Sequence, residues 1–133
     1  MDQRFETLAA TCLKGAEDGT MSFPQIVATL MENGFESYLV DFRRASAVYY
    51  RPDGDSVALP AHPVATPIAA ALDGAALAAA IGEAQRQVPG YSYRGFCEKS
   101  AAAGCAFYLV SFSGRRAVYF GRTGQSHVEP FPN

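Results

Sequence analysis

The sequence repeats itself at an offset of seventy residues, and this repeat constrains the fold more than any other feature. Residues 22–56 align with residues 92–126 without a gap. The matched positions include Gly34 with Gly104, Tyr38–Val40 with Tyr108–Val110, Phe42 with Phe112, Ala47–Tyr49 with Ala117–Tyr119, and Gly54 with Gly124. Self-similarity at a fixed spacing is typical of a supersecondary unit that occurs more than once. We therefore predict two copies of one unit.

Each copy has the pattern of two helices followed by three strands. Ser22 with Gln25 is typical of a capping box at the start of a helix, and Asp73 and Ser92 are suitable N-caps in copy two. The predicted helices cover residues 3–16, 22–33, 73–87 and 93–103. The predicted strands are rich in aromatic and β-branched residues. They cover residues 37–42, 46–51, 56–59, 107–112, 116–120 and 126–129.

The two copies differ at the turn between their first two strands. Ser113 and Gly114 predict a two-residue hairpin turn, which would pair Val110 with Ala117. The matching pair in copy one, Arg43–Arg44, is a poor turn sequence, so a looser loop is expected there.

One copy of this length would be marginally stable alone, whereas two copies can share a core. We therefore predict a single domain over 1–133, with copy one at about 1–59, a proline-rich connector at 60–67 and copy two at about 68–133. The expected fold class is α+β. Its order is ααβββ-ααβββ with pseudo-two-fold symmetry, and its helices pack on antiparallel strands.

Successive side chains along a strand point to opposite faces of the sheet. Both faces of the predicted strands are largely apolar. One face carries Tyr38, Val40, Phe42, Tyr49, Tyr108, Val110, Phe112, Ala117 and Tyr119; the other carries Leu39, Asp41, Val48, Tyr50, Phe107, Leu109, Ser111, Val118 and Phe120. The strands of a sheet that exposes one face to solvent alternate more regularly between apolar and polar residues than these strands do. The second face is therefore expected to be covered by the rest of the chain, which is the simplest alternative, by a second subunit, or by a ligand.

Tyrosine is the most biased residue type, with seven tyrosines and no tryptophan. Four tyrosines recur at matched places in the two copies, Tyr38 with Tyr108 and Tyr49 with Tyr119. A tyrosine side chain combines an apolar ring with a polar hydroxyl, which suits an interface, a ligand groove or a helix-covered core. We name these four tyrosines and Asp41 as a possible interface or groove, with the core as the alternative.

The sequence contains no motif that predicts a catalytic, cofactor-binding or metal-binding site. His127 and Glu129 share a strand face, but a metal needs three or four ligands and no others stand at suitable spacing. Cys97 has no partner base in the pattern, and its matched residue is Val27, which favours a packing role. We assign no catalytic residue and expect no cofactor. Whether the protein is an enzyme stays open, and the sequence favours the interpretation that it is not.

Charge and composition limit the partners and the compartment. The formal net charge is −2 and the pI is about 5.6, which argues against nucleic-acid binding. The doublets Arg43–Arg44 and Arg115–Arg116 are interpreted as solvated charge. The N-terminus shows no secretory signal pattern, and we expect no membrane association. Three cysteines without C-x-x-C spacing predict free thiols in the cytoplasm.

Copy two contains Tyr93, Phe96–Cys97, an alanine-rich helix to Gly104 and then an aromatic residue before YLV. In this pattern the chain resembles the YbcV-like bacterial family of unknown function, whose members are often labelled phage envelope proteins. The sequence departs from it at Phe107–Tyr108, where a tryptophan is expected, and in the longer stretch 60–72. The resemblance implies a small bacterial protein, sometimes of prophage origin, and implies no catalytic residue.

The expected function is a non-catalytic interaction module that binds a protein partner or a second copy of itself, so that a homodimer is plausible. The alternative is a small-molecule binder or an enzyme with a site at the junction of the two copies, near Tyr38, Tyr108 and Asp41.

Overall fold

The computed structural model describes residues 1–132, which form four helices and six strands. The helices are α1 (Gln3–Asp18), α2 (Phe23–Glu32), α3 (Gly74–Arg86) and α4 (Tyr93–Ala102). The strands are β1 (Ser37–Asp41), β2 (Ser46–Tyr50), β3 (Ser56–Pro60), β4 (Cys105–Ser111), β5 (Arg116–Gly121) and β6 (Ser126–Pro130). The order ααβββ-ααβββ and the α+β class are as predicted.

The helices begin where the sequence places capping residues. Ser22 and Gln25 form the predicted capping box, in which the Gln25 amide donates to Ser22 Oγ and the Ser22 amide donates to Gln25 Oε1 over 2.8 Å. The side chains of Asp73 and Ser92 accept hydrogen bonds from the first turns of α3 and α4. Each cap satisfies a backbone donor that the helix itself leaves free.

All six strands form one antiparallel sheet in the order β3-β2-β1-β4-β5-β6. The two copies therefore meet at β1 and β4, where Leu39 lies opposite Leu109. Because antiparallel neighbours in one sheet are related by a two-fold axis perpendicular to the sheet, the helices of both copies lie on the same side. Apolar residues from α1 to α4 and from β1, β2, β4 and β5 accordingly form one core.

The two hairpin loops are alike, so the expectation of a looser loop at Arg43–Arg44 is wrong. Each loop has four residues, 42–45 and 112–115, rather than two, although the predicted pairing of Val110 with Ala117 is correct. The fourth residue of each loop is left-handed, with φ of 50° at Ala45 and 52° at Arg115. The backbone conformation, more than the identity of the central pair, closes both loops.

Candidate functional site

The sheet has one face that no other part of the described chain covers. Along β1, β2, β4 and β5 buried residues alternate with half-buried ones, and the buried set packs under the helices. The half-buried set points to the other side, which we call the open face. The chain segments outside the sheet pack on the helix side, including Val64 and Ile68 between β3 and α3 and Phe131 after β6. Coverage of the second face by the rest of the chain, the simplest of the three alternatives, is therefore wrong for residues 1–132.

A continuous row of aliphatic side chains crosses the middle of the open face. Direct cross-strand pairs join neighbouring members of the row from one edge of the sheet to the other. The aliphatic row consists, in spatial order, of Ala58, Val48, Leu39, Leu109, Val118 and Val128. Val128 at one end is 46% exposed. Contiguous apolar surface of this extent is typical of an interaction site in a folded protein.

Aromatic residues extend the apolar surface on one side of the row. Phe107 and Phe120 are paired across β4 and β5, and their rings stack at 4.8 Å between centroids with 18° between planes. On the other side of the row lie serines, Tyr50 and Arg116. Among the strand residues of the described chain that point to this face, Asp41 and Arg116 are the only charged ones.

The four tyrosines named from the sequence lie on the opposite, helix-covered face. Tyr38, Tyr49, Tyr108 and Tyr119 are only 3–7% exposed. Burial raises the pKa of each of them, and Tyr108 shares a 2.6 Å hydrogen bond with the hydroxyl of Tyr93. The structure thus places them in the core, as in the second of the two interpretations, and presents no part of that cluster as a continuous surface.

Asp41 is the one named residue that does lie on the open face, and it has a local structural role. Its Oδ1 accepts hydrogen bonds from the amides of Arg43, at 2.9 Å, and Arg44, at 3.1 Å. The matched residue Ser111 accepts one from Gly114 at 3.0 Å. Both side chains therefore hold the hairpin loops that follow β1 and β4.

The sequence pattern groups Leu39, Val48, Leu109 and Val118 on one strand face, but of the open face it singles out only Asp41 as a site residue. The signal that could have selected them is the position of Asp41 and Ser111. Within β1, β2, β4 and β5, polar side chains at the strand ends share a face with Leu39 and Leu109, whereas the tyrosine face of these four strands has none apart from the tyrosine hydroxyls. That difference marks the wetter face of the sheet.

His127 and Glu129 form a pair at the edge of the sheet, on the helix side. His127 Nε2 lies 3.2 Å from Glu129 Oε2, and Gln85 Nε2 donates to the other carboxylate oxygen over 3.3 Å. Within residues 1–132, no group of three or more histidine, cysteine or acidic side chains is arranged to hold a metal ion. The pair is a surface contact between β6 and α3.

Cys97 lies on the buried side of α4 and is not activated as a nucleophile. Burial raises the pKa of its thiol to about 12, and Cys105 is raised to about 12 for the same reason. The thiolate is the reactive form of cysteine, so both side chains are protonated at neutral pH. Cys97 packs against the core as its matched residue Val27 suggests.

The junction of the two copies contains a cavity that is small. It lies between α1, α4 and the segment after β3, has a volume of about 20 Å³ and is lined by residues that include Asp41, His62, Tyr93 and Cys97. Such a volume holds roughly one water molecule. A larger cavity of about 140 Å³ lies between α3 and α4, where Glu83 and Lys99 pair with each other at 3.0 Å.

The two arginine doublets lie in different places. Arg43–Arg44 is in the loop at one end of the sheet, and Arg115–Arg116 is at the other end, because β1 and β4 run antiparallel. They form no common basic patch. No helix within residues 1–132 has the length and apolar character needed to cross a membrane.

Comparison with known proteins places the chain by family but not by activity. A family model described as a protein of unknown function, DUF1398, matches residues 13–129. The matched region takes in the last six residues of α1, the other three helices and all but the last residue of the sheet. No curated protein matches the sequence.

Proposed function

This chain belongs to the DUF1398 family, which has no described function, and from its open face we propose that it is a non-catalytic interaction module that pairs with a second copy of itself. The observation that carries this proposal is the aliphatic row, which crosses all six strands without a polar interruption. A solvated antiparallel face normally carries polar side chains at such central positions.

The size of the open face supports a dimer. Strands of five residues are roughly 17 Å long, and six strands at the usual spacing are roughly 29 Å wide, so the footprint is about 500 Å². Two such faces bury about 1,000 Å² when each is treated as flat, and protruding side chains add to this area. The total reaches the lower range of specific interfaces. Two packed sheets about 10 Å apart form an ordinary sandwich core.

The charge and symmetry of the open face also favour a second copy as the occupant. Asp41 and Arg116 have opposite signs, so two identical faces meet without net repulsion. A two-fold interface uses the same patch on both subunits and needs a self-complementary surface. A row of similar aliphatic side chains meets that requirement, because each member finds an apolar neighbour on the second copy.

Compartment and origin are part of the same proposal. The three cysteines within residues 1–132 are free and buried, in agreement with a reducing cytoplasm, and the acidic pI disfavours nucleic acid as the partner. The resemblance to the YbcV-like proteins supports a bacterial or prophage origin. Neighbouring phage head or tail genes would support the phage part, and their absence would contradict that part alone.

The test is the mass of the native protein in solution. We expect sedimentation velocity and native mass spectrometry to give a dimer of 14.2 kDa chains for the wild type. Leu109→Glu places a charge in the aliphatic row and should give a folded monomer with an unchanged circular dichroism spectrum. Met31→Glu is the matched control, since Met31 is 51% exposed on α2 at the opposite side, and it should remain a dimer.

Two results would overturn the proposal. A wild-type monomer at high protein concentration would show that the open face does not pair with itself, and a bound small adduct would then support the small-molecule alternative. A Leu109→Glu variant that remains a dimer would show that another surface makes the contact.

A further inference from the structure

We infer that the two-fold axis of this dimer runs across the strands, along the aliphatic row, so that each member of the row faces its own counterpart on the second copy. This inference rests on the proposed self-association and goes further by fixing the orientation of the two sheets. It follows from the positions of the residues that flank the row.

Aligned packing of two sheets leaves two orientations for an in-plane two-fold axis. The axis runs either along the strands, which places β1 over β4 of the second copy, or across them, which places each strand over itself. Within one chain, the pseudo-two-fold axis between Leu39 and Leu109 is perpendicular to the sheet and relates the two copies. If the two copies were identical, the two orientations of the dimer would therefore be equivalent. The aliphatic row fits both, so the residues that break the pseudo-symmetry decide between them.

An axis along the strands places Asp41 over the second copy's Phe107. That ring is already stacked on Phe120, so it offers the carboxylate no hydrogen-bond donor. Asp41 Oδ1 keeps its bonds to the amides of Arg43 and Arg44, but Oδ2 would lose its water without gaining a partner, which is strongly unfavourable for a charged group. This orientation therefore sets a charge against the most apolar corner of the face.

An axis across the strands avoids that contact. Within β1, Ser37 and Asp41 lie on opposite sides of Leu39, so Asp41 meets the second copy's Ser37, whose hydroxyl can donate to the carboxylate. Within β5, Arg116 and Phe120 lie on opposite sides of Val118, so the guanidinium meets the second copy's Phe120. A cation over an aromatic ring is an attractive contact, but the axis along the strands offers the same kind of contact between Arg116 and the second copy's Tyr50, so Asp41 is the residue that decides between the two orientations.

Single cysteines in the aliphatic row distinguish the two orientations. With the axis across the strands, Val48 faces Val48 and Val118 faces Val118. With the axis along the strands, Val48 faces Val118, and the two copies of Val48 are about 17 Å apart, because they are offset by three strand spacings and lie in sheets about 10 Å apart. A disulfide needs Cα atoms within about 7 Å, and disulfides do bridge packed sheets in immunoglobulin domains.

We therefore expect Val48→Cys alone, and Val118→Cys alone, to form a disulfide-linked dimer on mild oxidation. Valine and cysteine are close in size, so both variants should fold, and the native cysteines are buried and do not compete. Met31→Cys, exposed on the helix side, is the control that should remain unlinked.

The outcomes separate this inference from the proposed function. Self-linking of Val48→Cys and Val118→Cys supports the orientation. Failure of both to self-link, together with cross-linking in an equal mixture of the two variants, overturns the orientation and leaves the dimer intact. A wild-type chain that sediments as a monomer overturns both.

Discussion

Leu39 and Leu109 are paired directly across the two central strands, and they are also equivalent residues of the two copies, seventy positions apart. When a residue pairs with its own equivalent, the two residues lie on either side of the symmetry axis that relates the copies. The axis therefore passes between these leucines, perpendicular to the sheet. This one relationship places both helix pairs on the same side and leaves the other side of the sheet open.

Substitutions in the core under the helices should destabilise the protein far more than substitutions on the neighbouring surface. Leu30 is fully buried and Met31, the next residue of α2, is 51% exposed. We expect Leu30→Ala to lower the free energy of unfolding by about 2–5 kcal/mol, because it leaves a cavity. Met31→Ala should change it by about 0.5 kcal/mol or less. Urea denaturation of both variants measures the difference, and equal losses would contradict the assigned core.

Gly104 should be the least replaceable of the matched glycines. Its φ is +93°, and a Cβ there would overlap the carbonyl oxygen of Ala71, which is backbone and cannot rotate away. Gly54 has a φ of +92° but open space around it. Gly54→Ala should cost about 1–2 kcal/mol for the left-handed backbone alone, and Gly104→Ala more than that. Thermal unfolding of the two variants tests the order, which a smaller loss for Gly104→Ala would reverse.

Glu98 should make stability depend on pH. Its carboxylate accepts hydrogen bonds from the hydroxyl and amide of Thr66 and from the amide of Ala65, and the Thr66 hydroxyl is the main reason that the pKa of Glu98 lies below 4.5. These bonds favour the charged form in the folded state. Their contribution is therefore present above pH 4.5 and is lost as the pH falls through the lowered pKa.

Glu98→Gln provides the measurement of this effect. The difference in unfolding free energy between wild type and Glu98→Gln should be largest near neutral pH and should shrink as the pH falls below 4.5. Denaturant titrations at several pH values measure it. A difference that stays constant down to acid pH would show that the charge of Glu98 is not the stabilising feature.

The thiols should report whether the core is closed in solution. Cys12, Cys97 and Cys105 are buried, and burial raises the pKa of each thiol. We expect almost no reaction with Ellman's reagent at pH 8 in the native protein and three thiols per chain in denaturant. Rapid reaction of a single thiol in the native protein would contradict the burial and would reopen the question of a reactive Cys97.

The sequence by itself determined the local structure. The repeat, the caps at Ser22 and Asp73, and the alternation along the strands predict the order of elements and the register within each hairpin, because caps, turns and strand periodicity depend on neighbouring residues. The loops at Arg43–Arg44 and Ser113–Gly114 are the exception. There the sequence of the central pair suggested a difference that the shared left-handed fourth residue removes.

Only the tertiary structure decided which apolar face is covered. The two faces, one with Tyr38 and Tyr108 and one with Leu39 and Leu109, are nearly equally apolar at the strand centres, and only the polar residues Asp41 and Ser111 at the strand ends distinguish them in the sequence. That both helix pairs cover the same side of the sheet depends on the register of β1 with β4, a contact between residues seventy positions apart. The pairing sets the symmetry axis perpendicular to the sheet, so both helix pairs bury the tyrosines and the aliphatic row stays open.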